Sequence, residues 1–420
     1  MNYLSIQTLA SVFQGTIALL PLLATVWGEL KINEKIQLMG INKHHGTPFG
    51  ENVCHMSYLP FINGSSLQQL SDNLPYHQSV FSNLWDKVTA IKWWQLVESV
   101  SDELLFGQVK FPDMAKNGVL IMDDTPIEKF GLHMENISGV RIPGSGIAMG
   151  YVAFLACVFL PEMTIPIACK SWVPACVPGY ESKISMAIAT TKHFARQAKE
   201  ANLSIAGMVV VFDSWYFAVE LCKTIDQNRM IWITQSKSNR NFFLADEKGN
   251  PTIKKKASDF TSFPTGKMKS LHRKGVKYHN IGRCYLPKYG WVYATVVYDP
   301  RRHPEVFLLV SNNLEANGPW MIEKYYKRWK IETVIRDAKQ SLGLSNFHMQ
   351  HFSGISAHLC VCILNYTALS WLRYSRKLNL SMGEMVHVIF HELILKAVEN
   401  VRHYSLSQEV DLMNWLPIAV

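Results

Sequence analysis

Two apolar runs in this chain end abruptly in acid. GVLIMDDT, residues 118–125, closes on Asp123 and Asp124; AGMVVVFDSWY, residues 206–216, closes on Asp213. Runs this apolar, rich in β-branched residues, suit strands buried on both faces, because a half-exposed strand would alternate with polar positions. The acids then sit where each strand leaves the sheet. IAMGYVAFLACVFL and MTIPIACKSW read as two more strands between them. ESKISMAIATTKHFARQAKEAN, 181–202, has amphipathic helical spacing, and MIWITQSK, 230–237, is a further strand. Strands, helix, strand, helix, strand is the order of a mixed α/β core.

Around that core the composition changes twice. Residues 1–112 read as a mostly helical region. WDKVTAIKWWQLVESVSDELL, 85–105, has helical apolar spacing, and no clean helix-turn-helix pattern marks the region as DNA-binding. Residues 113–237 form the first part of the core. Residues 238–315 hold turns such as KGNPT, FPTG and LPKYGW between short β-rich runs, and read as a β-rich insertion. The insertion carries Lys254, Lys255, Lys256, Lys267, Lys269, Arg273, Lys274, Arg301 and Arg302, a basic set that suits a phosphate backbone or a soluble surface equally well. Residues 316–420 return to helix.

With 48% hydrophobic and 18% charged residues, the chain builds sizeable cores and is not disordered. A net charge of +9 favours an anionic partner, nucleic acid or an anionic membrane surface. TLASVFQGTIALLPLLATVW, 8–27, is interrupted by Gln14, Gly15 and Pro21 and lacks a charged leader, so a buried helix or helix pair is expected there. The eight cysteines include no CxxC pair and no zinc spacing, which points to reduced core residues and a cytoplasmic protein.

The segment YYKRWKIETVIRDAKQSLGL, 325–344, follows the insertion. No Pro or Gly interrupts 321–342, and Gly343 stands where a C-terminal cap belongs. On a helix advancing about 100° per residue, Tyr325, Arg328, Glu332 and Lys339 share an arc of roughly 60°. Ile331, Val334, Ile335, Ala338 and Leu342 fill the neighbouring apolar face. A solvated face with i,i+4 ion pairs would look the same. So would an acid set among phosphate-binding groups. Isolated, Asp213 reads equally as a helix cap. Together, two strand-end acids and Glu332 make an oxygen-rich set suited to two divalent cations, the arrangement that can hold both attacking and leaving oxygens of a phosphoryl displacement.

Tyr325, two residues, Arg328, three residues, Glu332, six residues, Lys339 is similar in type and spacing to the Y-(2)-R-(3)-E-(6)-K signature of DDE transposases of the insertion-sequence-four type. MDDT resembles that family's first aspartate region and VVVFDSWY its second. Asp124 and Asp213 stand 89 residues apart, Asp213 and Glu332 119 apart, with the β-rich stretch in the longer gap. The resemblance covers roughly 115–375. It implies an RNase H-like mixed sheet with a β-rich insertion before the glutamate helix, plus an N-terminal helical domain. It further implies Asp124, Asp213 and Glu332 as catalytic metal ligands for two Mg²⁺ ions, with Mn²⁺ as a substitute. Asp124 is taken over Asp123 because the family's acid is directly followed by Thr, as Thr125 is here; Asp123 faces the other side of a regular strand. Tyr325, Arg328 and Lys339 would hold DNA phosphates. Trp291 is a candidate for stacking a flipped base, and Trp329 is expected to pack in the core. The implied activity is cleavage and strand transfer of element ends on double-stranded DNA, by a homodimer in the synaptic complex, without a membrane. A nuclease of the same fold or a domesticated DNA-binding descendant are the alternatives.

Overall fold

The computed structural model describes residues 21–40, 49–62, 88–109, 114–131, 133–144, 146–272 and 275–392, with isolated positions at 68, 71, 77, 79–81 and 395. Most of the 8–27 segment, together with Arg273 and Lys274, lies outside them. The chain divides into two compact units. One gathers residues 1–103, 128–137 and 335–420; the other holds 104–127 and 138–334.

The second unit is built on one sheet that takes in all twelve described strands. Its centre is β1 (Val119–Glu128), β5 (Val209–Phe212) and β6 (Ile231–Gln235), mutually parallel, with Val119 opposite Val209 and Val209 opposite Ile231. The apolar runs bury as expected: Leu120, Ile121, Met122, Val210, Val211 and Phe212 are all inaccessible to solvent. Beyond β1 lie β3 (Gly146–Phe159) and β4 (Thr164–Trp172), an antiparallel pair, and the short β2 (Ser138–Ile142) on the first half of β3. The order β4-β3-β1-β5-β6 is the mixed RNase H-like sheet expected from the sequence. The strands approach closely at Gly150, where a Cβ would sit 2.2 Å from the carbonyl oxygen of Ile127. Only glycine fits there.

The β-rich insertion is not a separate sheet. β7 (Asn241–Ala245), β8 (Pro251–Lys256), β9 (Lys269–Ser270), β10 (Lys277–Leu286), β11 (Gly290–Tyr298) and β12 (Val306–Ser311) continue the core sheet, with β12 antiparallel to β6 and β8 at the far edge. Lys254, Lys255 and Lys256 are exposed on that edge. The exposed lysines oppose edge-to-edge pairing with another sheet. Arg301 and Arg302 are otherwise engaged. Arg301 makes a bidentate pair with Asp299, and Arg302 lies 4.6 Å from the Phe307 ring.

In the other unit, Ala90–Asp102 forms α1 and Phe352–Ser375 a 24-residue helix that is buried almost throughout. That long helix packs on α1, and Asn365 donates to the Ser57 carbonyl at 2.8 Å while the Trp371 indole donates to Glu29 at 2.7 Å. It is long and apolar enough to cross a membrane, but its apolar surface is already covered by protein. The eight cysteines form no disulfide; six are buried, Cys54 is half-buried and Cys176 exposed.

Candidate active site

Asp123 and Asp124 are adjacent on β1, so their side chains leave opposite faces. Each finds different partners. Asp124 accepts from Lys183 Nζ at 2.8 Å and from the Tyr216 hydroxyl at 3.0 Å. Lys183 opens α2 (Lys183–Glu200), which Ser182 caps by accepting from the Ser185 amide. Tyr216 is fully buried. It closes the short 3₁₀ turn Ser214–Tyr216 that leaves β5, and its amide donates to the Asp213 carbonyl at 2.9 Å. Asp124 therefore fixes the turn that carries Asp213.

Asp123 looks the other way, towards the helix after the insertion. Helix α3 (Gly318–Tyr325), capped by Asn317, runs through a 3₁₀ turn, Tyr326–Arg328, into α4 (Trp329–Ser341). Arg328 Nη1 donates to Asp123 and Nη2 to Glu332 in the first turn of α4. The Arg328 side chain is only 11% exposed, so this is not the solvated ion-pair face that the spacing alone allowed. Asp213 stands at the N-cap of its 3₁₀ turn, but its carboxylate accepts no capping hydrogen bond there, which removes the simple reading of Asp213 as a cap.

Burial raises Asp123 to a pKa of about 7; Arg328 opposes the shift, and the charges of Asp124 and Asp213 add to it. Burial alone would lower Arg328. The surrounding Asp123, Tyr325, Glu332 and Asp213 outweigh it and hold the guanidinium above its ordinary range. Three carboxylates, Asp123, Asp213 and Glu332, thus lie within electrostatic reach of one guanidinium. Among the described residues no three His, Cys, Asp or Glu side chains converge tightly enough to form a closed metal cage. The donor chemistry nonetheless fits a hard cation: the groups are carboxylate oxygens, and their mutual repulsion is what a divalent charge relieves.

The remaining expected residues are placed unevenly. Tyr325 is 1% exposed, its ring 6.5 Å from Phe307 with Arg302 over its face, so no surface is open to a phosphate. Lys339 is half-buried in the last turn of α4 and belongs to the other unit, with its pKa lowered by burial. Trp291 is half-buried on β11, edge-on to Tyr285 at 5.7 Å. Trp329 is 50% exposed, against the expectation of core packing, because α4 turns that side to solvent. Sequence reasoning missed Lys183 and Tyr216. Their only signal was a lysine at the first position of a helix and a tyrosine three residues after an acid.

Comparison with known families bears on this geometry. Residues 175–368 match the model of the transposase DDE domain. Over those residues the chain is similar to a transposase DDE domain. The matched segment of the DDE domain contains Asp213, Tyr325, Arg328, Glu332 and Lys339; the β1 acids lie before it. No curated protein matches. Among solved structures, the NurA nuclease from Sulfolobus solfataricus aligns over 73% of this chain and 100% of its own, with 9% identity and a TM-score of 0.27, too low to carry an argument.

Proposed function

We propose that the protein is a DNA transposase of the insertion-sequence-four type, cutting element ends and joining them to target DNA. The observation that carries this reading is Arg328. One nearly buried guanidinium ties the acid of β1 to the glutamate of α4, with Asp213 close enough to act on both Asp123 and the guanidinium. Within the reading, Asp123, Asp213 and Glu332 hold Mg²⁺, and Asp124 positions the Asp213 turn. This assigns the β1 metal acid to Asp123 in place of Asp124, because Asp123 shares Arg328 with Glu332 whereas Asp124 turns to Lys183 and Tyr216. When bound, two divalent ions would activate the attacking oxygen and stabilise the leaving one. Arg328 and Lys339 would supply positive charge to a phosphate. Tyr325, buried against Phe307 and Arg302, would support the start of the helix that carries Glu332. A homodimer would bring two ends together.

The test is cleavage of an end-labelled duplex carrying the element's own ends, with Mg²⁺ or with EDTA, by wild type and Glu332→Gln. Metal-dependent cutting by wild type, abolished in the variant with DNA binding retained, is the expected result. Equal cutting by the variant would remove Glu332 from the chemistry. Binding without cutting by wild type would point to a domesticated DNA-binding protein.

A further inference from the structure

Between Trp320 and Ser341 no glycine or proline interrupts the chain, yet the helix changes type at Tyr326–Arg328. A 3₁₀ residue turns about 120° and rises about 2.0 Å, whereas an α-helical one turns about 100° and rises about 1.5 Å. Over three residues the difference swings whatever follows by about 60° and carries it about 1.5 Å along the axis. Arg328 ends that turn and Glu332 lies one α-turn beyond it. The break therefore decides where both groups stand. Such a stretch inside a helix needs a cause, and local sequence offers none.

The cause lies in the insertion. Asp299, directly after β11, is buried, and its carboxylate accepts from the Tyr326 hydroxyl at 2.7 Å and from Arg301 Nε and Nη2 at 2.8 Å each. Arg301 first, with Tyr326 adding, holds the Asp299 carboxyl down at about 2, so the acid is charged at neutral pH. Arg302, next along, lies 5.6 Å from the centre of the Tyr325 ring and 4.6 Å from that of Phe307 on β12. The loop after β11 thus grips the end of α3 twice, at Tyr325 and at Tyr326. A buried carboxylate is a poor device for stability alone, because an apolar pair of the same shape would serve as well without the desolvation cost. What a hydrogen bond to a charged acceptor adds is a fixed direction and length.

We propose that Asp299 and Tyr326 are positioning residues for DNA cleavage: their hydrogen bond holds the 3₁₀ turn, and the turn sets Arg328 and Glu332 against Asp123. The proposal rests on the reading of Asp123, Asp213 and Glu332 as the acids of the reaction. Neither Asp299 nor Tyr326 touches those acids. The insertion reaches them through the backbone of the turn, and through the Arg328 guanidinium that the turn presents to Asp123 and Glu332.

Single-turnover cleavage of an end-labelled duplex by wild type, Tyr326→Phe, Asp299→Asn and the double variant tests this, with duplex affinity read by anisotropy and Mn²⁺ affinity by electron paramagnetic resonance. Tyr326→Phe keeps the ring and deletes only the hydroxyl, so it should fold and melt close to wild type. At saturating duplex it should cut about tenfold more slowly and bind Mn²⁺ about tenfold more weakly, with duplex affinity unchanged. Asp299→Asn should lose at least as much. The double variant should be no slower than Asp299→Asn, because both changes remove one hydrogen bond. Wild-type cutting and Mn²⁺ binding by Tyr326→Phe overturn the proposal, and so do single-variant losses that multiply in the double. Glu332→Gln separates the two claims. If it is inactive while Tyr326→Phe is unimpaired, the acids stand and the brace falls. If it cuts like wild type, the acid assignment falls whatever Tyr326→Phe does.

Discussion

At the residue scale the decisive contrast is between two neighbours. Asp124 is tied to Lys183 and Tyr216, whereas Asp123 shares Arg328 with Glu332. Asp124→Asn should therefore weaken metal-dependent cleavage about 10–100-fold, the usual cost of losing a supporting partner, while Asp123→Asn should abolish it. Single-turnover rates on one labelled end measure both. Lys183→Met should resemble Asp124→Asn, because it removes the same contact from the other side. The sequence made the acids legible: three carboxylates at two strand ends and on a helix could be picked out by residue type and spacing. Residue type and spacing alone could not choose between Asp123 and Asp124; Thr125 and the family resemblance pointed to Asp124. Alternation places them on opposite faces but does not say which face looks at Arg328, since that depends on a helix more than 200 positions later in the chain. The burial of Tyr325 was not legible for a related reason. A helical wheel gives a direction, not what stands opposite, and here Phe307 and Arg302 close over the ring.

Elements were legible where a pattern repeated. β1, β3, β4, β5, β6 and α2 all lie where apolar runs and helical spacing placed them. The uninterrupted helix over 321–342 is instead two helices joined by a 3₁₀ turn at Tyr326–Arg328, and no Gly or Pro signals the break. The turn is held from outside: Tyr326 donates to Asp299 at 2.7 Å, and Asp299 is pinned by Arg301. That the insertion would extend the core sheet was not legible either, because strand pairing is a tertiary fact. Close packing in the sheet predicts that Gly150→Ala destabilises the protein by about 1–3 kcal/mol, seen as a lower midpoint in urea, because the Ile127 carbonyl must move. In the helical unit, His358 sits in the long helix Phe352–Ser375 with its ring nitrogen 2.9 Å from the Gly343 carbonyl. Burial lowers its pKa from 6.5 to about 4. Above 6.5 the ring is neutral in folded and unfolded chains alike. As pH falls towards 4 the unfolded chain takes up a proton that the folded one refuses, so stability falls across that window. His358→Gln should flatten the pH dependence of the melting temperature between those values, whatever its effect at neutral pH.

For the whole molecule, the charge of +9 has a distribution that composition could not reveal. Some of the basic residues of the insertion serve the fold, as Arg301 and Arg302 do. Lys254, Lys255 and Lys256 stand free of such ties on the exposed edge strand β8. If that edge tracks a DNA backbone, replacing all three with Ala should make the dependence of log affinity on log salt shallower by about two to three units, measured by anisotropy between 50 and 200 mM salt. An unchanged slope would mean that β8 only keeps the sheet from aggregating.

The central claim is that Asp123, Asp213 and Glu332 form the metal-holding set. Manganese binding to the DNA-free protein, followed by electron paramagnetic resonance, tests it most directly with wild type, Asp123→Asn and Asp124→Asn side by side. The account predicts that Asp123→Asn loses Mn²⁺ binding while Asp124→Asn retains it with weakened affinity. Loss in Asp124→Asn with normal binding in Asp123→Asn would contradict it and return the first acid to Asp124.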